Sequence, residues 1–179
     1  MFALTPRLLL RPGWPEDAPA LARAIGHEEV ATRLARVPWP YTEQDARGFL
    51  AERWTSPGPV FLVAERDGGR LVGGVGIHDG DAAPEFGYWL TPAAWGRGYA
   101  TEAGRAVVAV ARDALRLPRL RATWFTGNPA SGRVLSKLGF RPTGRVVPVQ
   151  SLALGREVDA VECELDLDDP RTGQLPLAA

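Results

Sequence analysis

Gly96 and Gly98 stand two residues apart in "TPAAWGRGYATEAGRAVVAVARDAL" (residues 91–115), ahead of an alanine- and valine-rich run that reads as a long helix, with no acidic residue before Glu102. A helix N-terminus leaves its first N–H groups unpaired and carries roughly half a positive charge, so it holds a phosphate without basic side chains. Glycines at 96 and 98 would let an anion reach the amides of residues 96 to 101, with Arg97 adding one charge; a tight strand-to-helix connection that binds nothing accounts for the same pair. A P-loop is excluded, because Gly98 leads into Tyr99, Ala100 and Thr101 with no lysine. A dinucleotide site would want an acid at the end of the next strand, and "RLRATWFTGN" ends in Thr126, Gly127 and Asn128. Asn128 before Pro129 is a helix start, with Gly139 at the far end.

Other reactive side chains are few. His78 ends a β-run, where a solvent-facing histidine is the default. Cys163 alternates with Val161, Leu165 and Leu167 on an apolar strand face, as a buried, inert thiol would. Glu162, Glu164 and Asp166 occupy the opposite face, a solvated edge by default. One cysteine and two histidines make a zinc site improbable, and no metal is expected.

The elements that must position these groups follow from pattern. "RLLLRP" (7–12) reads as a strand and "PEDAPALARAI" (15–25) as a helix. "YTEQDARGFLAERW" (41–54) is a second helix, with a Thr42/Asp45 capping box and an apolar side of Ala46, Phe49, Leu50 and Trp54. "PVFLVAER" and "RLVGGVGIHD" form a hairpin about Asp67, Gly68 and Gly69, and "EFGYWL" (85–90) is the next strand. On the helix after the glycines, Thr101, Arg105 and Arg112 mark a polar side opposite Val107, Val110, Ala111 and Ala114. "RLRATWFT" (119–126) is a strand parallel to 85–90, followed by a short helix and a closing antiparallel pair, 140–153 and 156–167. The class is α+β around one largely antiparallel sheet, a single domain over 1–167 with a frayed tail at 168–179.

Composition narrows the functions. The chain has 179 residues, 45% hydrophobic and 23% charged, enough for one full core. Lys plus Arg equals Asp plus Glu at 21 each, which removes the excess charge a nucleic-acid binder uses to collect phosphates. No apolar run approaches the ~20 residues of a membrane span, so a cytoplasmic protein with no membrane partner is expected.

Two segments in order, "EFGYWLTPAAWGRGYATEAGRAVV" and "TWFTGNPASGRVLSKLGFRPTGR", resemble the acetyl-CoA core of the GNAT superfamily of N-acetyltransferases. The resemblance is narrower to the branch of RimJ and RimL, the ribosomal-protein N-terminal acetyltransferases. It departs at Trp95, where the superfamily pattern has Gln or Arg. It implies a three-layer α/β/α fold with a splayed central sheet and acetyl-CoA as cosubstrate. The pyrophosphate would sit over Gly96, Arg97, Gly98, Tyr99, Ala100 and Thr101, and the pantetheine along Tyr88, Trp89 and Leu90. Asn128 and Ser131 match further coenzyme contacts, and Ser131 would protonate the departing thiolate. Glu85 would be the base or water-positioning group, and Trp39 and Tyr41 walls of the acceptor pocket. Arg133 and Lys137 could meet the ribose phosphate or simply be solvated. The implied activity is direct transfer to a primary amine, a protein N-terminus or a small amine, by a monomer or homodimer. A non-catalytic acyl-CoA-binding module is the alternative, and a nicotinamide oxidoreductase a distant third.

Overall fold

The computed structural model describes residues 1–52, 58–80 and 83–169; Trp54 and the tail from residue 170 lie outside them. Among the described residues, eight strands form one sheet in the order β1-β2-β3-β4-β5-β6-β8-β7. They are β1 (Ala3–Leu4), β2 (Leu8–Arg11), β3 (Val60–Glu65), β4 (Leu71–His78), β5 (Glu85–Leu90), β6 (Arg119–Phe125), β7 (Arg141–Ser151) and β8 (Arg156–Asp166). Every neighbouring pair is antiparallel except β5 and β6, which flank a helix connection and run parallel as that connection requires.

The described α-helices are α1 (Ala18–Ile25), α2 (Glu28–Ala31), α3 (Glu43–Glu52), α4 (Tyr99–Ala109) and α5 (Pro129–Lys137). Leu21, Ile25, Ala46 and Leu50 of α1 and α3 pack with Leu62 and Trp89 on one face of the sheet. Ala103 and Val107 of α4, Leu135 of α5 and Leu138, the residue that caps α5, pack with Phe61, Val75, Phe86 and Leu90 on the other. The result is the three-layer α+β arrangement, and successive residues of β5 face opposite layers.

Local signals hold where they are strong. The β3–β4 hairpin turns on Gly68 and Gly69, both at positive φ (78° and 66°). Thr42 and Asp45 exchange the reciprocal cap bonds, Thr42 N to Asp45 Oδ2 at 2.7 Å and Asp45 N to Thr42 Oγ1 at 3.2 Å. Three expectations are corrected. Residues 15–17 form a 3₁₀ turn before α1. α4 ends in a π-helical turn over Val110–Ala114, which leaves Ala114 exposed. Thr101 is buried rather than polar-facing, because the whole first turn of α4, with Tyr99 and Ala100, is sunk against the sheet.

Strand β4 carries Gly73, Gly74 and Gly76, and one of them sets how closely β5 can approach. A Cβ at Gly73 would lie 2.3 Å from the Trp89 carbonyl oxygen and 2.5 Å from Leu90 Cδ2. Gly73→Ala should therefore push β5 away and destabilise the protein by about 1–3 kcal/mol, read as a lowered Tm. An unchanged Tm would show that the strands do not need this approach.

Candidate functional site

β5 and β6 share a single bridging pair, Glu85 with Arg121, fixed by Arg121 N donating to the Pro84 carbonyl at 2.9 Å; beyond it the two strands separate. On its other edge β5 pairs with β4 along its whole length, and Thr91 N continues the ladder to Val72 O at 2.9 Å. Because main-chain groups alternate in direction along such a ladder, those of Tyr88 and Leu90 point into the separation. The Leu90 carbonyl already has a partner there, the Trp95 indole N–H at 2.9 Å. Trp95 thus ties the end of β5 to the turn, and the Arg33 guanidinium stacks over its ring at 4.7 Å.

The turn has the backbone the two glycines imply. Gly96 and Gly98 lie at φ 73° and 78°, where side-chain-bearing residues are strained, and Gly98 is the N-cap of α4. A Cβ at Gly96 would meet nothing within 4 Å, so the space before the turn is open. Of the residues expected to meet an anion here, Arg97 is engaged elsewhere: its Nη1 lies 2.7 Å from Glu65 Oε1. Tyr99, Ala100 and Thr101 are buried side chains that can offer only main-chain amides.

On the α4/α5 face, the Tyr88 hydroxyl donates to Ser131 Oγ at 3.1 Å. Burial pushes the Tyr88 phenol above its ordinary value despite that bond, so it keeps its proton at neutral pH. Ser131 is held in turn by the helix start, where Asn128 Oδ1 accepts from Ser131 N at 3.4 Å with Pro129 at N1. The capping role of Asn128 is therefore real. Arg133 and Lys137 are exposed on the same helix.

The opposite face presents Glu85, Gly87 and Trp89. Glu85 accepts from Thr123 Oγ1 at 3.2 Å and faces Arg36 Nη2 at 3.8 Å. His78 stands opposite Glu85 in the β4–β5 register. Trp89 packs with the α1/α3 layer, so of the three strand residues expected along one edge it is the one whose side chain turns away from Tyr88 and Leu90. Tyr41 also joins that layer, and burial together with the Asp45 charge pushes its phenol up to about 12, whereas Trp39 is exposed. The loop carrying Arg36 and Trp39 is stitched to the β7–β8 hairpin by Leu152 N to Ala35 O at 2.9 Å.

Glu162 corrects the expected solvated edge. It is buried, with Arg121 Nη2 at 3.1 Å, Thr143 Oγ1 at 2.9 Å and the Arg145 guanidinium as partners. Burial opposes its charge, and the bonds from Arg145 and Thr143 outweigh that and hold the carboxyl below its usual range. The strand pattern gave no sign of this, because its cations come from β6 and β7. Cys163, by contrast, is buried as expected, and burial raises its thiol.

A left-handed glycine turn thus stands at a helix N-terminus, beside two parallel strands that part after one pair. The open space at Gly96, the inward-pointing groups of Tyr88 and Leu90 and the Tyr88–Ser131 pair fit coenzyme A. The model of the acetyltransferase (GNAT) domain matches residues 7–141. An uncharacterized N-acetyltransferase of Bacillus subtilis, YoaA, is 32% identical over 146 residues, 78% of this chain and 82% of that protein. The crystal structure of a GNAT-family acetyltransferase from Bacillus anthracis superposes with a TM-score of 0.80 at 25% identity, covering 94% of this chain and all of that one. The ribosomal-protein-S5-alanine acetyltransferase of Vibrio fischeri shares the fold, with a TM-score of 0.79 at 19% identity over 94% of this chain and 98% of its own. The chain belongs to the GNAT acetyltransferase family, whose members transfer an acyl group from acetyl-CoA.

Proposed function

We propose that the protein transfers acetyl directly from acetyl-CoA to a primary amine within a ternary complex, with a protein N-terminus as the first candidate acceptor and small amines next. The observation that carries this is the parting of β5 from β6, with Tyr88 and Ser131 on one face of the opening and Glu85 on the other.

The acceptor must lose a proton, the oxyanion must be met by a donor, and the sulfur must leave protonated. An α-amino group of pKa ~7.8 is about 14% neutral at pH 7, against about 0.04% for a lysine of ~10.4, so an N-terminus needs little more than a relay. Glu85 supplies it: Thr123 holds one oxygen, and the other faces the weakly held Arg36, open to a water that carries the proton away. The Leu90 N–H, which points into the opening, meets the developing oxyanion in this reading. Ser131 Oγ accepts from Tyr88, which leaves its own O–H free to be donated to the departing thiolate. Gly96 to Thr101 hold the pyrophosphate through main-chain amides, and Trp39 borders the amine. The likeness to a protein named for a ribosomal-protein alanine supports offering N-terminal peptides first.

The test is a screen of N-terminal peptides, polyamines, amino acids and aminoglycosides with acetyl-CoA, reading acetylated product by mass and thiol release by colour. Acetylated product is expected within the peptide set; coenzyme binding without product across the whole pool would favour a non-catalytic binding module. Glu85→Gln should lower kcat about 100-fold with a lysine-like amine but only a few-fold with an α-amine, the difference set by how much deprotonation each needs. Equal losses with both would remove Glu85 from the proton path.

A further inference from the structure

The cleft of about 400 Å³ behind the glycine turn is lined by Arg7, Arg66, Arg70, Arg97, Glu65 and Tyr99 among others, and its charges are turned on one another. Glu65, only 13% exposed at its side chain, receives Arg97 Nη1 at 2.7 Å and the Tyr99 hydroxyl at 3.0 Å on Oε1, and Arg70 Nε at 2.9 Å on Oε2. Arg7 approaches from the other side. Its Nη1 donates to the Arg97 carbonyl at 2.9 Å, and its Nε and main-chain N donate to the two oxygens of Glu102, at 2.7 and 2.9 Å. Thr5 Oγ1 adds a bond to Glu102 at 2.6 Å. The guanidiniums of Arg7 and Arg97 both lie over the Tyr99 ring, at 4.7 and 4.5 Å from its centroid.

Every one of these bonds ends on residue 97, 99 or 102, or on the carboxylate that holds them. They grip the turn and the first turn of α4 by a carbonyl, a side chain and a ring, while the main-chain amides of 98 to 101 are not among the groups used. We propose that Glu65 and Arg7 are positioning residues for coenzyme binding, bracing the glycine turn from behind so that its amides are aimed before the ligand arrives. Arg97 then acts through Glu65 rather than by touching a phosphate. The inference rests on the acetyl-CoA reading and goes beyond it, because neither residue belongs to the turn. Prepaid ordering of this kind appears in affinity, since a site held in its bound geometry loses less freedom on binding. The Arg70 bond, with the Tyr99 and Arg97 contacts, brings the Glu65 carboxyl down to about 2 against its burial, so the brace stays charged across the working pH range and is lost only as pH falls toward that value.

The test is calorimetric titration of the full-length protein with coenzyme A, at a temperature where near-UV circular dichroism shows each variant folded. Glu65→Gln and Arg7→Met should each raise Kd about tenfold, Met keeping the apolar stem of Arg7. Adding Arg97→Ala to Glu65→Gln should change Kd less than about twofold further, because residues acting through one contact are not additive. Multiplied losses in the double variant would mean that Arg97 meets the coenzyme itself, and would overturn the assignment. An unchanged Kd in both single variants would overturn it as well. Should Glu65→Gln not fold, Arg7→Met decides alone, since Arg7 does not touch Glu65 and its replacement leaves that carboxylate and all of its partners in place. Failure of the wild-type protein to bind coenzyme A would defeat the acetyl-CoA reading, and the brace with it, a result separable from loss in the variants only.

Discussion

Gly98→Glu should weaken acetyl-CoA binding by at least about 100-fold, the sum of a backbone and a charge effect. Gly98 caps α4 at φ 78°, a conformation that costs an L-residue about 1–2 kcal/mol. Sterically the side chain could be housed, because a Cβ would come no nearer than 3.5 Å to Arg7 Nη2. Arg7 is no free counter-charge, being already paired with Glu102 at 2.6 Å, so the new carboxylate would stand against a diphosphate. Gly98→Ala carries the same backbone strain without the charge and should lose about tenfold. Raising salt should narrow the gap between the two variants, since screening acts on the charge alone. Equal affinities of wild type and Gly98→Glu, measured by titration with coenzyme A, would place the phosphates elsewhere.

Ser131→Ala should lower kcat about 100-fold at saturating acetyl-CoA while leaving its KM within about threefold, the signature of an interaction made chiefly in the transition state. The reasoning follows the direction of one hydrogen bond. Tyr88 donates to Ser131 Oγ at 3.1 Å, which leaves the serine proton free, and in the proposed mechanism that proton goes to the sulfur. Tyr88→Phe removes the orienting partner and not the acid, so a smaller fall in kcat, about tenfold, is expected, with a stability loss near 1 kcal/mol for the part-buried bond. A Ser131→Ala enzyme with undiminished kcat would leave protonation of the thiolate to water.

How much of this could be read from the chain depended on how local each cause is. The glycine turn, the Thr42/Asp45 cap and the Asn128–Pro129 helix start are set by residues within a few positions of one another, and each takes the form its local chemistry dictates. The splay of β5 from β6 entered through the family resemblance, since nothing in the alternation of either strand reports where pairing stops. The brace was illegible: Arg7 and Glu102 are 95 residues apart, and a charged residue beside a short strand looks solvated until the fold brings its partner. Glu162 misled for the same reason, its partners standing 17 to 41 positions away on other strands. Strand β1, two residues long, and helix α2, four residues long, are too short to carry a period. Trp95 reads as an anomaly in the turn, and only the structure shows its indole closing the strand end at Leu90.

The alternation along β5 has a consequence for how acceptors can diversify. Phe86, Tyr88 and Leu90 face the α4/α5 layer, and Glu85, Gly87 and Trp89 face the α1/α3 layer, so the sheet is a wall with one slot in it. In the proposed ternary complex, donor and acceptor would arrive from opposite sides, and only a slender amine would have to reach the slot. A bulky polypeptide can leave its mass outside. On that proposal, loops on one side of the wall would be free to change what is modified without disturbing the grip on the donor behind the other.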